Sequence, residues 1–355
     1  MNATQRSCTP LAALCSSGIL FCQLAAASTT VCVHNPTELQ SALNTATGAT
    51  ATTFIEVARG NYALGGAQLV FDSNVAAQGQ LDITGGYDQD CSGVIKNPAL
   101  TVLDGQGMSG VLRLISTAGI SVRYLTIQNG YLPTAAGTDV AGLFVTSSDG
   151  GVIVDYNIVR NNNGASDAGV EIVIQDAAAT STLHVDGNLI VGNNASNQQG
   201  AGFISNEGSG AAYITNNTIA DNISQRTDAG AIGGLGVYGN STPASTTLSN
   251  NIFWHNTNAD LFLGFNPVLM DNDCTLVQGS TDSSSAGNVT VDPQFAAVGS
   301  YRLGMASPLL GAGTLAPAGG LPTIDIEGNP RSYNNLVDLG AYERGNAIYA
   351  DGFDD

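Results

Sequence analysis

Two aspartates and an arginine recur at one point of a repeating pattern: Arg123, Asp155 and Asp186, with Thr215 and Ser249 in the same register. On stacked strands such residues form one outward column, with the carboxylates about 4.8 Å apart, the ordinary strand spacing. At that distance like charges raise each other's pKa unless a cation or guanidinium intervenes. Asp155 and Asp186 could bind Ca²⁺, with Arg123 as a base or substrate clamp. They could instead be the carboxyl pair of a retaining glycosidase. The plain alternative is a solvated column in which Arg123 pairs with Asp155. Either chemistry requires a groove in front of the pair.

Other reactive side chains are sparse. Trp254 with Tyr156 or Tyr213 could form a sugar-stacking surface. Trp254 shares an outward column with Gln128 and Arg160, and it could equally pack over Leu261 and Phe262. His184 sits in an outward register with Ser121, Ile153, Tyr213 and Thr247. The spacing of His34, His184 and His255 fits neither a catalytic triad nor a metal site, so surface or turn positions are expected. No Gly-x-Ser-x-Gly elbow is present.

The elements that position these residues are repeats. Leu125–Gly130, Asn157–Asn162, Asn188–Asn193, Asn217–Asn222 and Asn251–Asn256 share the pattern Asn-x-apolar-x-x-Asn, with starts 32, 31, 29 and 34 residues apart. Three residues before each start stand Val122, Val154, Val185, Ile214 and Leu248. Two residues after it stand Ile127, Val159, Ile190, Ile219 and Phe253. Such columns mark strands with one face inward. A second strand is expected in Ala141–Val145, Ala168–Ile172, Ala201–Ser205 and Ala229–Gly233. A period near 30 residues without helices predicts an all-β parallel β-helix. A propeller needs longer repeats. The aligned Asn157, Asn188, Asn217 and Asn251 can form a hydrogen-bonded ladder. Irregular earlier coils are expected near Phe54–Val57, Gln68–Phe71, Gln80–Thr84 and Leu100–Leu103. Asn35, Pro36 and Glu38 form a helix-start signature, predicting a short helix that caps the open end of the solenoid.

Composition sets the address. The chain has 355 residues, 10 Lys plus Arg against 29 Asp plus Glu, and a formal net charge of −19. Lys96 is the single lysine, which argues against nucleic-acid binding. Residues 1–27 contain Arg6, no acid, and an apolar run ending in Ala25–Ser28, the layout of a secretory signal peptide. The run is too short and interrupted for a transmembrane segment, and no later stretch suits one. Cys8, Cys15 and Cys22 fall in this leader, leaving Cys32, Cys91 and Cys274. Cys32 with Cys91 is the first pairing to expect in an oxidising compartment, since both belong to the N-terminal part. Three free thiols are the alternative.

The coils resemble right-handed parallel β-helix proteins of the pectate-lyase-like superfamily, through Gly85–Cys91, Leu103-Asp-Gly105 and Leu125–Gly130. Asp292-Pro-Gln-Phe295, Tyr301-Arg-Leu303, Ser307-Pro308, Asp325–Arg331 and Asp338–Glu343 are similar to the choice-of-anchor Q region of bacterial surface β-helix proteins. The acid that region usually carries after Ser-Pro is missing from Leu309–Gly313. The resemblance implies a signal peptide over 1–27, a right-handed parallel β-helix with its N-terminal cap over 28–290, an anchor-like region over 291–345 and a tail over 346–355. It also implies that a Ca²⁺-assisted uronate site built on Asp155, Asp186 and Arg123 is possible. The expectation from all of this is a secreted or cell-surface protein, monomeric, binding an extracellular glycan or surface protein without its own catalysis. A polysaccharide lyase or glycoside hydrolase acting on an acidic polysaccharide is the alternative, because fold alone does not fix function.

Overall fold

The computed structural model describes residues 27–134, 140–175, 181–228, 230–239, 246–265, 268–271, 273, 277–278 and 287–344. The expected leader, the expected tail and Cys274 therefore lie outside the described residues, Ala27 excepted. The chain winds into a parallel β-helix whose strands all pair in parallel with the coils before and after them. One coil runs through Val152–Asp155, Ile158–Arg160, Asn163–Gly164 and Val170–Ile174. Stacking such coils gives sheets of nine, seven, four and eight strands among the described residues. The nine-stranded sheet contains Thr53–Ala58, Leu81–Tyr87, Ile120–Arg123, Val152–Asp155, Leu183–Asp186 and Ala212–Thr215 as successive members.

Alternation explains the interior. Both predicted inward columns point into the solenoid, and every one of their residues is at most 2 % exposed. Between the nine- and seven-stranded sheets the chain turns sharply through a left-handed residue: Tyr124, Tyr156, Gly187, Asn216 or Asn250. The next residue in the later coils is a buried asparagine. Asn157, Asn188 and Asn217 each donate their backbone N–H and their side-chain amide to the asparagine one coil further on. A second ladder, Asn162, Asn193, Asn222 and Asn256, repeats this at the far edge of the seven-stranded sheet.

One predicted strand is displaced. The copy expected at Ala229–Gly233 forms its strand at Leu235–Gly239, with Gly234 where Gly142 and Gly169 stand in earlier coils. A side chain there would meet the next coil: a Cβ on Gly234 would lie 1.8 Å from the Asp260 carbonyl oxygen. The close approach, not the Ala-Gly dipeptide, sets the register.

The helix Pro36–Ala46 caps the first coil. Glu38 N–H donates to Asn35 Oδ1 at 3.0 Å, and Leu39, Ala42 and Leu43 are buried. Gln40 also satisfies the strand edge beneath it, donating to the Val70 carbonyl and accepting from the Val70 N–H. A bare edge is thereby closed against further pairing. Cys32 is disulfide-bonded to Cys91 across 59 residues. A loop of that length stabilises by about 4 kcal/mol on the chain-entropy account.

The C-terminal segment 287–344 lies over the outer face of the seven-stranded sheet. Ile326, Leu339 and Ala341 bury Ile158, Leu189, Val191, Ala220 and Ile252. This is why the column containing Gln128, Arg160 and Trp254 turns apolar at Val191 and Ala220 between them. Arg331, 1 % exposed, anchors the segment through Nη2, which donates to Asn216 Oδ1 and to the carbonyls of Asp338 and Gly340.

Candidate functional site

The outer face of the nine-stranded sheet carries two adjacent rows. One runs Phe54, Asp82, Ser121, Ile153, His184, Tyr213 and Thr247 along neighbouring strands. The other runs Thr84, Arg123, Asp155, Asp186, Thr215 and Ser249. A hollow of about 560 Å³ lies over the first part of this face, lined by Phe54, Gln80, Asp82, Ser121, Arg123 and Ile153 with the turns Asp149–Gly151 and Ser181–Thr182. A second, of about 220 Å³, follows beside it and is lined by Asp155, Tyr156, His184, Asp186, Tyr213 and Thr215. Its far wall is Gly319–Pro322 from the C-terminal segment. Ile153 and His184, paired on neighbouring strands, connect the two.

Arg123 is committed to the floor. Its Nη1 donates to Asp82 Oδ2 at 2.8 Å and contacts the Ser121 hydroxyl, and its Nε lies 3.6 Å from Asp155 Oδ2. Asp155 Oδ1 accepts the Asp186 backbone N–H at 3.2 Å. Asp186 Oδ1 accepts from Thr215 Oγ1 at 2.5 Å and Asn216 Nδ2 at 2.7 Å. Burial pushes the Asp155 carboxyl up to about 8, with the Asp186 charge adding to the rise and Arg123 opposing it. Burial also raises Asp186, while Thr215 and Asn216 oppose the rise.

Asp155 and Asp186 thus meet as the repeat predicts, and Arg123 does reach Asp155. The pair does not fit a Ca²⁺ site. Such an ion takes six to eight oxygens, whereas these carboxylates already accept protein donors and face a guanidinium. Among the described residues no group of three or more His, Cys, Asp or Glu side chains is placed to hold a metal ion. Arg123, held by two aspartates, is poorly set to accept a proton.

Of the three aromatic candidates, Tyr156 and Tyr213 both line the second hollow and Trp254 lies apart. Tyr213 borders the second hollow, with the His184 ring 5.1 Å away. Tyr156 is 9 % exposed and stacks on Tyr124 at 5.2 Å. Trp254 stands on the seven-stranded sheet and packs among Ile252, Leu303 and Leu309 beneath the C-terminal segment. His255 is a turn residue, its Nδ1 2.5 Å from Asp221 Oδ1. Sequence reasoning missed Phe54 and Asp82. Both sit in outward positions of alternating segments whose coils lack the asparagine motif that fixes the later register. Gly319–Pro322 carries no comparable signal.

The buried acids make stability fall as pH rises. Asp155 is raised to about 8, and Asp273 and Asp167 to about 7, in each case chiefly by burial. A carboxyl raised in the folded state binds its proton more tightly there than in the unfolded chain. Its stabilising effect is full below about pH 4 and is lost as pH climbs through 7 to 8. The melting temperature is expected to be higher at pH 5 than at pH 8.5 in a buffer series at constant ionic strength. An equal or higher midpoint at pH 8.5 contradicts this.

No helix among the described residues is long and apolar enough to cross a membrane. Comparison with known proteins finds no match to a family model, to a curated protein or to a solved structure.

Proposed function

We propose that this protein is a secreted or cell-surface β-helix that binds uncharged glycans along the outer face of its nine-stranded sheet. The observation that carries the reading is the groove itself. It is long and shallow, with Phe54 at one end, Tyr213 near the other, and hydrogen-bonding side chains between them. Planar rings with flanking polar groups suit the two-sided chemistry of a sugar. From Phe54 to Tyr213 the row covers five strand steps, about 24 Å. Polyanions suit this face poorly, because Asp82 and Asp149 border the groove and its single arginine, Arg123, is already paired with Asp82. The leader-like residues 1–27 and the resemblance to pectate-lyase-like surface proteins support an extracellular address.

Isothermal titration against neutral and acidic oligosaccharides tests this. Binding is expected for a neutral member, and Phe54→Ala is expected to weaken it about fivefold, the loss of one aromatic contact of about 1 kcal/mol. Phe54 is 38 % exposed, so its truncation leaves the core intact. Binding of acidic members alone, or of none, refutes the proposal.

One observation favours a second reading, glycoside hydrolysis. A carboxyl raised to about 8 stays protonated at neutral pH, as a general acid must, and Asp186 is adjacent. Release of reducing ends, abolished by Asp155→Asn, would establish it. Growth of ultraviolet absorbance from an unsaturated product would indicate a lyase instead.

A further inference from the structure

We infer that the groove reads the end of a glycan chain and not its interior, an inference that rests on the glycan-binding reading above. The row Phe54, Asp82, Ser121, Ile153, His184, Tyr213 is a straight path along stacked strands, and it continues on the same face as Thr247 and Leu269. A polymer gripped by its middle would have to lie along the whole row. The C-terminal segment prevents this at Tyr213. Gly319 lies flat on the tyrosine ring: a Cβ built there would sit 2.7 Å from Tyr213 Cγ. Gly319 and Gly320 both have φ near +90°, a backbone course open to glycine and strained for other residues. The chain can therefore press its backbone directly onto the ring. Leu321 and Pro322 complete the wall of the second hollow.

The wall is fastened on both sides. Before it, Thr314 N–H donates to Asn250 Oδ1 at 2.7 Å, and Asn250 Nδ2 donates to the Thr314 carbonyl at 3.1 Å. After it, Arg331 is buried against Asn216. Asn216 and Asn250 are the turn residues that follow the strands carrying Tyr213 and Thr247. The obstruction thus belongs to the same coils as the row it blocks. At the opposite end Phe54 remains 38 % exposed. A linear glycan entering over Phe54 runs to a stop at Tyr213. Its terminal sugar then occupies the 220 Å³ hollow, where the Thr215 hydroxyl, the Asp155 and Asp186 carboxyls and the His184 ring surround it.

The test compares chain length at constant mass of sugar. Titrations use the full chain with α-1,4-glucan, β-1,3-glucan and β-1,4-mannan, each as the linear hexaose and as a soluble polymer ten times longer. The cyclic α-1,4 hexaose, which has no ends, is the control. If one hexaose binds, its polymer is expected to bind about tenfold more weakly per gram, the ratio of chain ends. Where that sugar is the α-1,4-glucan, the cyclic form should not bind. Equal binding per gram by hexaose and polymer, or binding of the cyclic form, overturns chain-end reading while glycan binding stands. If no hexaose or polymer binds, glycan binding itself fails and chain-end reading falls with it.

Discussion

Ile190→Asp prevents the solenoid from folding. Ile190 is 1 % exposed and lies in the inward column between Val159 and Ile219. The new carboxyl has no partner there, so it must be buried charged or take up a proton. Protonation at pH 7 costs about 4 kcal/mol for a group whose ordinary pKa is near 4. Replacing isoleucine removes apolar contacts worth about 2–4 kcal/mol more. The sum rivals the whole stability of a typical domain. In a stacked array the damage also falls on two interfaces, because each coil is held by its neighbours. Val159→Asp is equivalent one coil earlier. Circular dichroism and limited proteolysis of the purified variants should show no cooperative transition. A soluble Ile190→Asp protein melting within a few degrees of wild type contradicts the inward assignment.

What could be read from the sequence follows the repeat. Ile190 and Val159 were legible as core, and Asp155 and Asp186 as neighbours, because a regular period with strand alternation fixes both face and row. Phe54 and Asp82 were harder, since their coils lack the asparagine motif and give no fixed start from which to count. The C-terminal segment was not legible as a wall. Arg331 reaches Asn216 across 115 residues, and the Ala341 N–H reaches Thr218 across 123. Nothing periodic joins those positions, so no register could pair them. The same gap hid the fate of Trp254. Its outward column was clear, whereas the segment lying over it was not. The apolar residues Val191 and Ala220 in that column were the available signal, because an outward face that turns apolar implies a cover.

Asn217→Ala is the second large loss, and its cause is stranded hydrogen-bonding groups, not a cavity. Asn217 Oδ1 accepts both the backbone N–H and the side-chain amide of Asn188, and Asn217 Nδ2 donates to the Val185 carbonyl. All of these groups are buried. A buried polar group left unpaired costs about 1–3 kcal/mol. Three such groups give about 3 kcal/mol at the low end of that range. Asn194→Ala, on a half-exposed position outside both ladders, is the control and should cost well under half as much. The ends of the ladders sharpen the argument. Each rung donates forward, so the end of each ladder needs an acceptor. Both ladders pass to an aspartate, and the Asp273 backbone N–H donates on in turn to Asn288 Oδ1 at 2.8 Å. Asp273 Oδ1 accepts the Asn251 backbone and side-chain N–H groups, and Asp260 Oδ1 does the same for Asn256. Among the described residues, Asp273 Oδ2 is buried without a hydrogen-bond partner. Denaturant midpoints of Asn217→Ala and Asn194→Ala at pH 6 give the order, and equal midpoints for the two contradict the ladder's role.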